Sequence, residues 1–302
     1  MRALLQKSCK DCTASSINTY YYNIKALATL AGHPDIPTHA RWVNDALLQK
    51  VKKLPLMKTK NLTIAAIKAL KAYGATKKIE SWSKQMNDAT ERYAKQRNKQ
   101  QRTDREAANW PKGGYAAIGK LADELQKEVA HILKKAPAKI TMSELWQLAR
   151  WFVLLFYSKH ALRGDLGDMQ IRKKGQNYIE KRGKGWHMHV GNHKTVRAHG
   201  AIELKLDAKV SAALDQYLPY VRANTKHGYL LSTKRYGNRM KRSDMMALLR
   251  NTTEDRLGKR IGVQLIRVLK TTSHLKGIDE AEKLRRELAH GPQMQWKYVS
   301  RA

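Results

Sequence analysis

Apolar residues recur three or four positions apart along the first hundred residues, in four stripes separated by short polar or proline-containing breaks. This spacing places apolar side chains on one face of an α-helix, and four such helices in succession predict a small helical bundle. We expect the aromatic residues of these stripes to pack in its core. The stripes are Ile17, Tyr20, Ile24, Leu27 and Ala31; Val43, Leu47, Val51 and Leu54; Leu62, Ala66, Leu70 and Tyr73; and Ile79, Trp82, Met86, Ala89 and Tyr93.

Polar residues then dominate the stretch KQRNKQQRTDR at 95–105, and Gly113-Gly114 follows soon after. A change of composition of this kind, followed by residues that break helices, is typical of a domain boundary. We therefore predict a helical domain over residues 1–97, a basic linker over 98–114 and a second domain over 115–302.

The second domain mixes two periodicities. A helical stripe runs from Ile118 to Ile132, and Thr141-Met-Ser-Glu144 has the pattern of a capping box at the start of another helix. Alternating patterns predict short strands. The predicted strands lie near 168–173, 186–191 and 199–206, and later helices start near Val210, Ser243 and Gly262 and continue to the end. The fold is therefore expected to be mainly α with a small antiparallel β-sheet, an α+β arrangement behind an N-terminal helical bundle.

Charge narrows the class of partner. The 302 residues include 59 Lys and Arg against 25 Asp and Glu, a formal net charge of +34. Such a surplus repels itself in a compact fold, so a polyanion is the expected partner, and nucleic acid is the leading candidate. An anionic membrane surface is the rival, but no lipidation signal or basic membrane-lying helix stands out.

The sequence also bears on location. No apolar run approaches the roughly 18 to 20 residues that span a bilayer. The first ten residues lack the apolar core of a signal peptide. We expect an intracellular, soluble, DNA-associated protein without a membrane partner. A bacterial cytoplasm, a virus-infected cell and a nucleus are not distinguished.

Two groups of residues invite a metal interpretation. Cys9 and Cys12 form a single CxxC pair, which is incomplete as a zinc site, and we expect ordinary thiols there. The second group consists of histidines, in which a basic strand face turned toward DNA is the competing interpretation: His187, His189, His193 and His199. No carboxylate or cysteine is close enough in sequence to complete a convincing site. We therefore expect no metal and no cofactor.

Rejoining phosphodiesters without a metal requires a nucleophile, cations on the non-bridging oxygens, an acid for the leaving oxygen and help in deprotonating the nucleophile. Arg163 follows an apolar helix, so its guanidinium can be held rigidly and can grip a phosphate with two hydrogen bonds. A surface ion pair with Asp165 or Asp168 is an equally good interpretation. Lys194 lies in a tight turn between two predicted strands, where an ammonium can protonate a leaving oxygen or can simply be solvated.

Further candidates lie toward the carboxyl end. Gln264 and Arg267 are three apart and share a helix face. His290 precedes Gly291-Pro292, and Tyr298 follows eight residues later.

In their order along the chain, Arg163, Lys194, Arg267, His290 and Tyr298 resemble the tyrosine recombinase (phage integrase) family. The resemblance covers about residues 115–302. The segment HVGNHKTVRAHGAIELKL is similar to the family's lysine-bearing β-hairpin, and ELAHGPQMQWKY is similar to its closing motif. The N-terminal bundle resembles the family's core-binding domain by pattern only.

The resemblance implies a site-specific recombinase, or integrase, that acts on double-stranded DNA as a tetrameric synapse. Tyr298 would attack the scissile phosphate and form a 3′-phosphotyrosine. Arg163 and Arg267 would hold the non-bridging oxygens, Lys194 would protonate the leaving 5′ oxygen, and His290 would hydrogen-bond the phosphate. The resemblance implies neither a metal nor a cofactor.

The chain departs from the family pattern in several places. Gln264 stands where the family usually has histidine or lysine, and glutamine cannot take the proton of Tyr298. Val268 replaces the histidine that usually follows the second arginine, and Asp165 is only a tentative substitute for the family's carboxylate. Only four residues follow Tyr298, so the contact between protomers is expected elsewhere.

Two other functions are compatible with these residues. A type IB topoisomerase shares the nucleophile and would relax DNA without a partner duplex, although the compact helical N-terminal part favours a recombinase. A non-catalytic DNA-binding protein of the same fold is the second, with Gln264 marking a degraded site. The sequence specifies neither the DNA target nor whether the reaction integrates, excises, inverts or resolves.

Overall fold

The computed structural model describes residues 1–99, 101–172 and 175–274. Contacts along the chain divide it into two compact units, Met1–Lys99 and Gln100–Ala302. His290 and Tyr298 lie outside the described residues. In the part that is described, no helix is long and apolar enough to cross a membrane.

The first unit is helical, and its core uses the four predicted stripes. Its helices are α1 (Arg2–Ser8), α2 (Ala14–Leu30), α3 (Asp45–Lys52), α4 (Leu56–Ala72) and α5 (Ile79–Asn98). Leu27, Leu70 and Trp82 are almost completely buried between them. The sequence did not predict α1, because Leu5 is its one buried residue and a single position has no periodicity.

The expectation of ordinary thiols at the CxxC pair is wrong in this structure. Cys9 and Cys12 form a disulfide that bridges the turn between α1 and α2. Cys9 follows the last residue of α1, and the turn places the two Cα atoms 5.4 Å apart, within the range that a disulfide requires. Spacing alone could not show this separation, because it depends on where α1 ends.

The second unit combines helices with a sheet. Its elements are α6 (Asp104–Ala108), α7 (Ala116–Val129), α8 (Met142–Lys159), β1 (Asn177–Arg182), β2 (Gly185–Val190), α9 (Val196–His199), β3 (Ile202–Lys205), α10 (Ala208–Asn224), α11 (Arg242–Leu257) and α12 (Val263–His274). The prediction of a mainly α fold with a small antiparallel sheet is confirmed.

Helix α8 is the centre of this unit. Every residue from Trp151 to Tyr157 is buried, so the helix is enclosed on all sides, with α7 and α10 among its neighbours. The ring of Phe152 stacks on Tyr217 of α10, with 5.1 Å between the ring centroids. The predicted capping box is present, because Thr141 accepts from the Glu144 amide and the Glu144 carboxylate accepts from the Thr141 amide.

Among the described residues, the sheet has the order β1-β2-β3, with both pairs antiparallel. Strand β2 alternates as predicted, with Met188 and Val190 buried and His187 and His189 on the other face. The strand expected near 168–173 is wrong. A 3₁₀ turn at Gly164–Asp168 and isolated bridges at Gln170 occupy this region.

The true first strand, β1, was missed because its burial does not alternate. Asn177, Tyr178 and Ile179 are all buried, and the strand then emerges into solvent at its charged end. A pattern of three buried residues followed by exposed ones has neither strand nor helix periodicity.

Residues 103–110, which the sequence predicts to be part of a linker, contact the rest of the second unit through apolar packing and hydrogen bonds. Thr103 forms a capping box with Glu106 at the start of α6. The Trp110 side chain packs against the unit's hydrophobic core. Lys259 Nζ donates to the carbonyl oxygen of Ala108 at 2.9 Å.

We predict that Thr141→Ala lowers the free energy of unfolding by about 1 kcal/mol, because the first turn of α8 loses a side-chain acceptor. Urea denaturation of the full chain measures the change. Ser143→Ala, an exposed position in the same turn, is the control and should change stability by less than about 0.5 kcal/mol. Equal effects of the two substitutions would contradict the capping role.

Candidate functional site

Arg163 is held where α8 ends. The preceding residues, Ala161 and Leu162, are buried, and the Tyr157 hydroxyl donates to the Arg163 carbonyl oxygen at 2.9 Å. The Arg163 side chain is half-buried, and its Nη1 donates to Thr195 Oγ1 at 3.2 Å. The backbone of Arg163 is therefore fixed, while its guanidinium lies at the boundary between core and solvent.

The carboxylate of Asp165 is the buried centre of the site. Only 1% of Asp165 is exposed, and its Oδ1 lies 3.1 Å from Arg242 Nη1. Burial raises the pKa of this carboxyl, and nearby positive charges oppose the rise. Those charges belong, in decreasing order of effect, to Arg242, His193, Arg163 and Arg267. We call these four residues together with Asp165 the Asp165 cluster.

Arg267 belongs to this cluster from the side of α12. It is 2% exposed, although a guanidinium is costly to bury unless a negative charge or hydrogen bonds compensate it. Asp165 supplies a negative charge nearby. Gln264, one turn earlier on α12, is exposed, so the structure does not bury it beside Arg267 as a shared helix face would suggest.

Lys194 does not lie at the tip of a tight hairpin. The chain between β2 and β3 covers residues 191–201 and contains the short helix α9. We call residues 192–195 the Lys194 turn. The expected tight turn is wrong because this connection is long enough for its own hydrogen bonds, among them the His193 ring nitrogen Nε2 to the Gly200 carbonyl oxygen at 2.8 Å.

Within the Lys194 turn, hydrogen bonds and burial hold the residues next to Lys194 in place, whereas Lys194 itself is exposed. Asn192 exchanges two hydrogen bonds with the buried Asn177, at 2.8 and 3.2 Å. His193 is 4% exposed, and Thr195 accepts from Arg163. The turn therefore presents one ammonium to solvent beside the Asp165 cluster.

His189, one of the strand histidines, has partners within the sheet. His189 hydrogen-bonds Glu203 on β3 and stacks on Tyr178 of β1, with 4.7 Å between the ring centroids. In the described ranges, no three His, Cys, Asp or Glu side chains are arranged to hold a metal ion. His193, in contrast, is buried in the Asp165 cluster and serves a structural purpose that the sequence did not indicate.

Arg242 is the cluster member that sequence reasoning missed. It opens α11, some 75 residues beyond Asp165, and the only sequence signal at this position was the start of a helix. The chain approaches it closely, since a Cβ added at Gly167 would lie 2.7 Å from the Arg242 Cα atom. A glycine at 167 is therefore required for the 3₁₀ turn to meet the start of α11.

The Asp165 cluster contains three guanidinium groups and one carboxylate, so its net charge is positive. Arg163 is half-buried and Lys194 is exposed nearby, whereas Asp165 and Arg267 are buried. Guanidinium groups held in this way suit the oxygens of a phosphate. The described part of the site therefore combines a positive cluster with a half-buried arginine and, beside it, an exposed ammonium.

No protein-family model matches the chain, and no curated protein matches it in sequence. Among solved structures, the crystal structure of XerA recombinase aligns with 11% sequence identity and a TM-score of 0.45. The alignment covers 100% of this chain and 93% of that one. A likeness of this degree is no guide to the chemistry of the site.

We predict a pH dependence of stability that comes from Asp165. A carboxyl whose pKa is raised by folding makes the protein less stable as the pH rises through the folded pKa, because the charged form is penalised. The free energy of unfolding of the wild type, minus that of Asp165→Asn, should therefore fall as the pH rises above about 4, the ordinary pKa of an aspartate.

Asp215→Asn is the matched control, because the Lys181 side chain lowers the pKa of Asp215. The same difference should then rise with pH, since this carboxylate stabilises the fold when it is ionised. Urea denaturation across the pH range measures both differences. A flat profile for Asp165 would contradict its place in a buried carboxyl site.

Proposed function

We propose that the chain is a site-specific DNA recombinase that cuts and rejoins strands through Tyr298. The observation that carries the proposal is the Asp165 cluster, which gathers Arg163 and Arg267 from distant parts of the chain beside the exposed Lys194. Phosphoryl transfer without a metal needs positive groups for the non-bridging oxygens and a proton donor for the leaving oxygen. Two arginines with a lysine nearby can supply both. The formal net charge of +34 supports a polyanionic substrate.

In the proposed reaction, the phenol of Tyr298 gives its proton to water, its oxygen attacks the scissile phosphorus, and the bond to the 5′ oxygen breaks. Arg163 and Arg267 stabilise charge on the non-bridging oxygens as it develops, Arg163 from the boundary with solvent and Arg267 through its positive charge from the buried side of the site. Lys194 gives its proton to the leaving 5′ oxygen. The product is a 3′-phosphotyrosine and a free 5′ hydroxyl, and a 5′ hydroxyl from another strand reverses the step to rejoin DNA.

Two further roles belong to the same proposal. His290 hydrogen-bonds the phosphate. Gln264 can donate to a phosphate oxygen from its exposed position on α12 but cannot accept the phenol's proton. Double-stranded DNA is the substrate, and four copies of the chain form the synapse in which strands exchange.

Tyr298→Phe is the decisive variant, because it removes the nucleophilic oxygen and little else. We expect the wild type to form a denaturant-resistant protein–DNA adduct on nicked duplexes with a randomised central segment, and Tyr298→Phe to form none. Tyr236→Phe, at an exposed tyrosine, should still form the adduct. Mass spectrometry of the attached peptide identifies the linked residue.

The same assay tests the arginine. Arg163→Ala should slow adduct formation by about 10²–10³-fold, the usual cost of losing one donor to a developing charge. Arg260→Ala, a half-exposed arginine paired with Glu254, is its control. An adduct with Tyr298→Phe would end the proposal. A wild type that binds DNA without any adduct would favour a non-catalytic protein, and relaxation of supercoils without strand exchange would favour a topoisomerase.

A further inference from the structure

Arg242 joins three separate segments of the second unit. Its Nη1 lies 3.1 Å from the buried Asp165, and its Nε pairs with Asp168 at the other end of the 3₁₀ turn. Its Nη2 donates to the carbonyl oxygen of Asn192 at 2.9 Å. The Arg242 side chain, at the start of α11, therefore connects the 3₁₀ turn that follows Arg163 with the Lys194 turn.

The backbone that carries this guanidinium is fixed as well. At Gly167, the 3₁₀ turn comes so close to Arg242 that an added Cβ would meet its Cα atom at 2.7 Å and its amide nitrogen at 3.0 Å. The Cα atom of Arg242 thus has a defined place relative to both carboxylates. The Asn192 carbonyl oxygen then accepts from two sides, from Arg242 Nη2 at 2.9 Å and from Asn177 Nδ2 at 3.2 Å.

In the described part of the chain, the Lys194 turn is held by side chains from β1, from the end of α8 and from α11, and by the hydrogen bond of its own His193 to the Gly200 carbonyl oxygen. Asn177 fastens Asn192 to β1, and Arg163 fastens Thr195 to the end of α8. Among the described residues, Arg242 both hydrogen-bonds the Asn192 carbonyl, two residues before Lys194, and pairs with the two carboxylates, while His193 of the turn itself lies near Asp165. Removing Arg242 leaves the contacts of the turn with Asn177 and Arg163 in place but removes the hydrogen bond that links Asn192 to the side chain paired with Asp165 and Asp168.

We infer that Arg242 is a positioning residue that sets where the Lys194 ammonium stands relative to the phosphate held by Arg163. This inference rests on the proposed function, because it assigns Lys194 the role of proton donor to the leaving oxygen. Arg242 acts through the Lys194 turn and does not itself touch the substrate. Its loss should harm proton donation and spare the attack of the nucleophile.

Only an arginine can make all three contacts. A guanidinium presents donors in several directions of one plane, whereas a lysine ammonium is a single point of charge. Arg239 is a natural comparison, since its Nη2 pairs with the same Asp168 at 2.8 Å. Its guanidinium also lies over the Tyr229 ring, and its Nη1 donates to the Tyr229 hydroxyl, so it reaches another part of the unit.

The test uses two forms of the duplex on which the wild type forms its adduct, one natural and one with sulfur in place of the 5′ bridging oxygen. A thiolate leaves without a proton because thiols are far stronger acids than alcohols. Any variant whose defect is confined to proton donation is therefore slow on the oxygen duplex and restored on the sulfur duplex. Lys194→Ala defines this pattern.

We expect Arg242→Gln to follow the Lys194→Ala pattern. It should cleave the oxygen duplex about 10²-fold more slowly than wild type, the lower end of what general acid catalysis contributes. It should cleave the sulfur duplex at nearly the wild-type rate. Arg239→Gln, with the same change of charge beside the same carboxylate, should resemble wild type on both.

Each other result overturns the inference. Equal slowing of Arg242→Gln on both duplexes would place its effect on phosphate binding or on the fold, and a wild-type rate on oxygen would give it no role. If Lys194→Ala were not restored by sulfur, the inference would fall while cleavage by Tyr298 still stood. A wild type that cleaves neither duplex would end the proposed function itself.

Arg242→Lys keeps the experiment decisive if Arg242→Gln does not fold. It retains a positive charge for the buried Asp165 but cannot also reach Asp168 and Asn192. Its urea denaturation should therefore lie nearer to wild type than that of Arg242→Gln. Its cleavage should again be slow on oxygen and restored on sulfur.

Discussion

A carboxylate buried among guanidinium groups is the constraint around which the second unit is organised. Asp165 is almost fully covered, and such a charge is tolerated only where opposite charges lie close. The compensating groups come from the end of α8, the Lys194 turn, α11 and α12. These segments are far apart in sequence, so the carboxylate's need for partners helps to fix the tertiary arrangement. Truncating one member would leave uncompensated charge, whereas a surface ion pair could be lost at little cost.

The hydrophobic pattern predicted most of the helices because each buries one face. The stripes from Ile17 to Tyr93 and the capping box at Thr141 correspond to α2–α5 and α8. The pattern failed where burial was not periodic. Helix α1 buries one residue, β1 buries three in a row, and the region expected as a strand near 168–173 follows a 3₁₀ turn.

Some residues of the candidate site could likewise be predicted from the sequence, and others could not. Arg163 could be singled out because an apolar helix precedes it, and Lys194 because it falls between strand-like segments. Arg242 and His193 could not, since their importance arises from contacts with residues far away in sequence. Gln264 is the opposite case. Helical spacing predicts that it shares a face with Arg267, but the fold exposes Gln264 and buries Arg267. Tyr298 and His290 stay predictions.

The contact at Gly167 has a mechanical consequence. Two backbones touch there with no side chain between them, so no rotamer change can absorb a displacement. A shift of α11 along its axis must then move the 3₁₀ turn, or break the arginine's link to the loop after β2. Substitutions of buried residues of α11, such as Met245 or Leu249, would therefore change the position of the 3₁₀ turn relative to the Lys194 turn. Gly167 therefore transmits a displacement of α11 directly to the 3₁₀ turn. The relative position of the 3₁₀ turn and the Lys194 turn thus depends on how well α11 is packed.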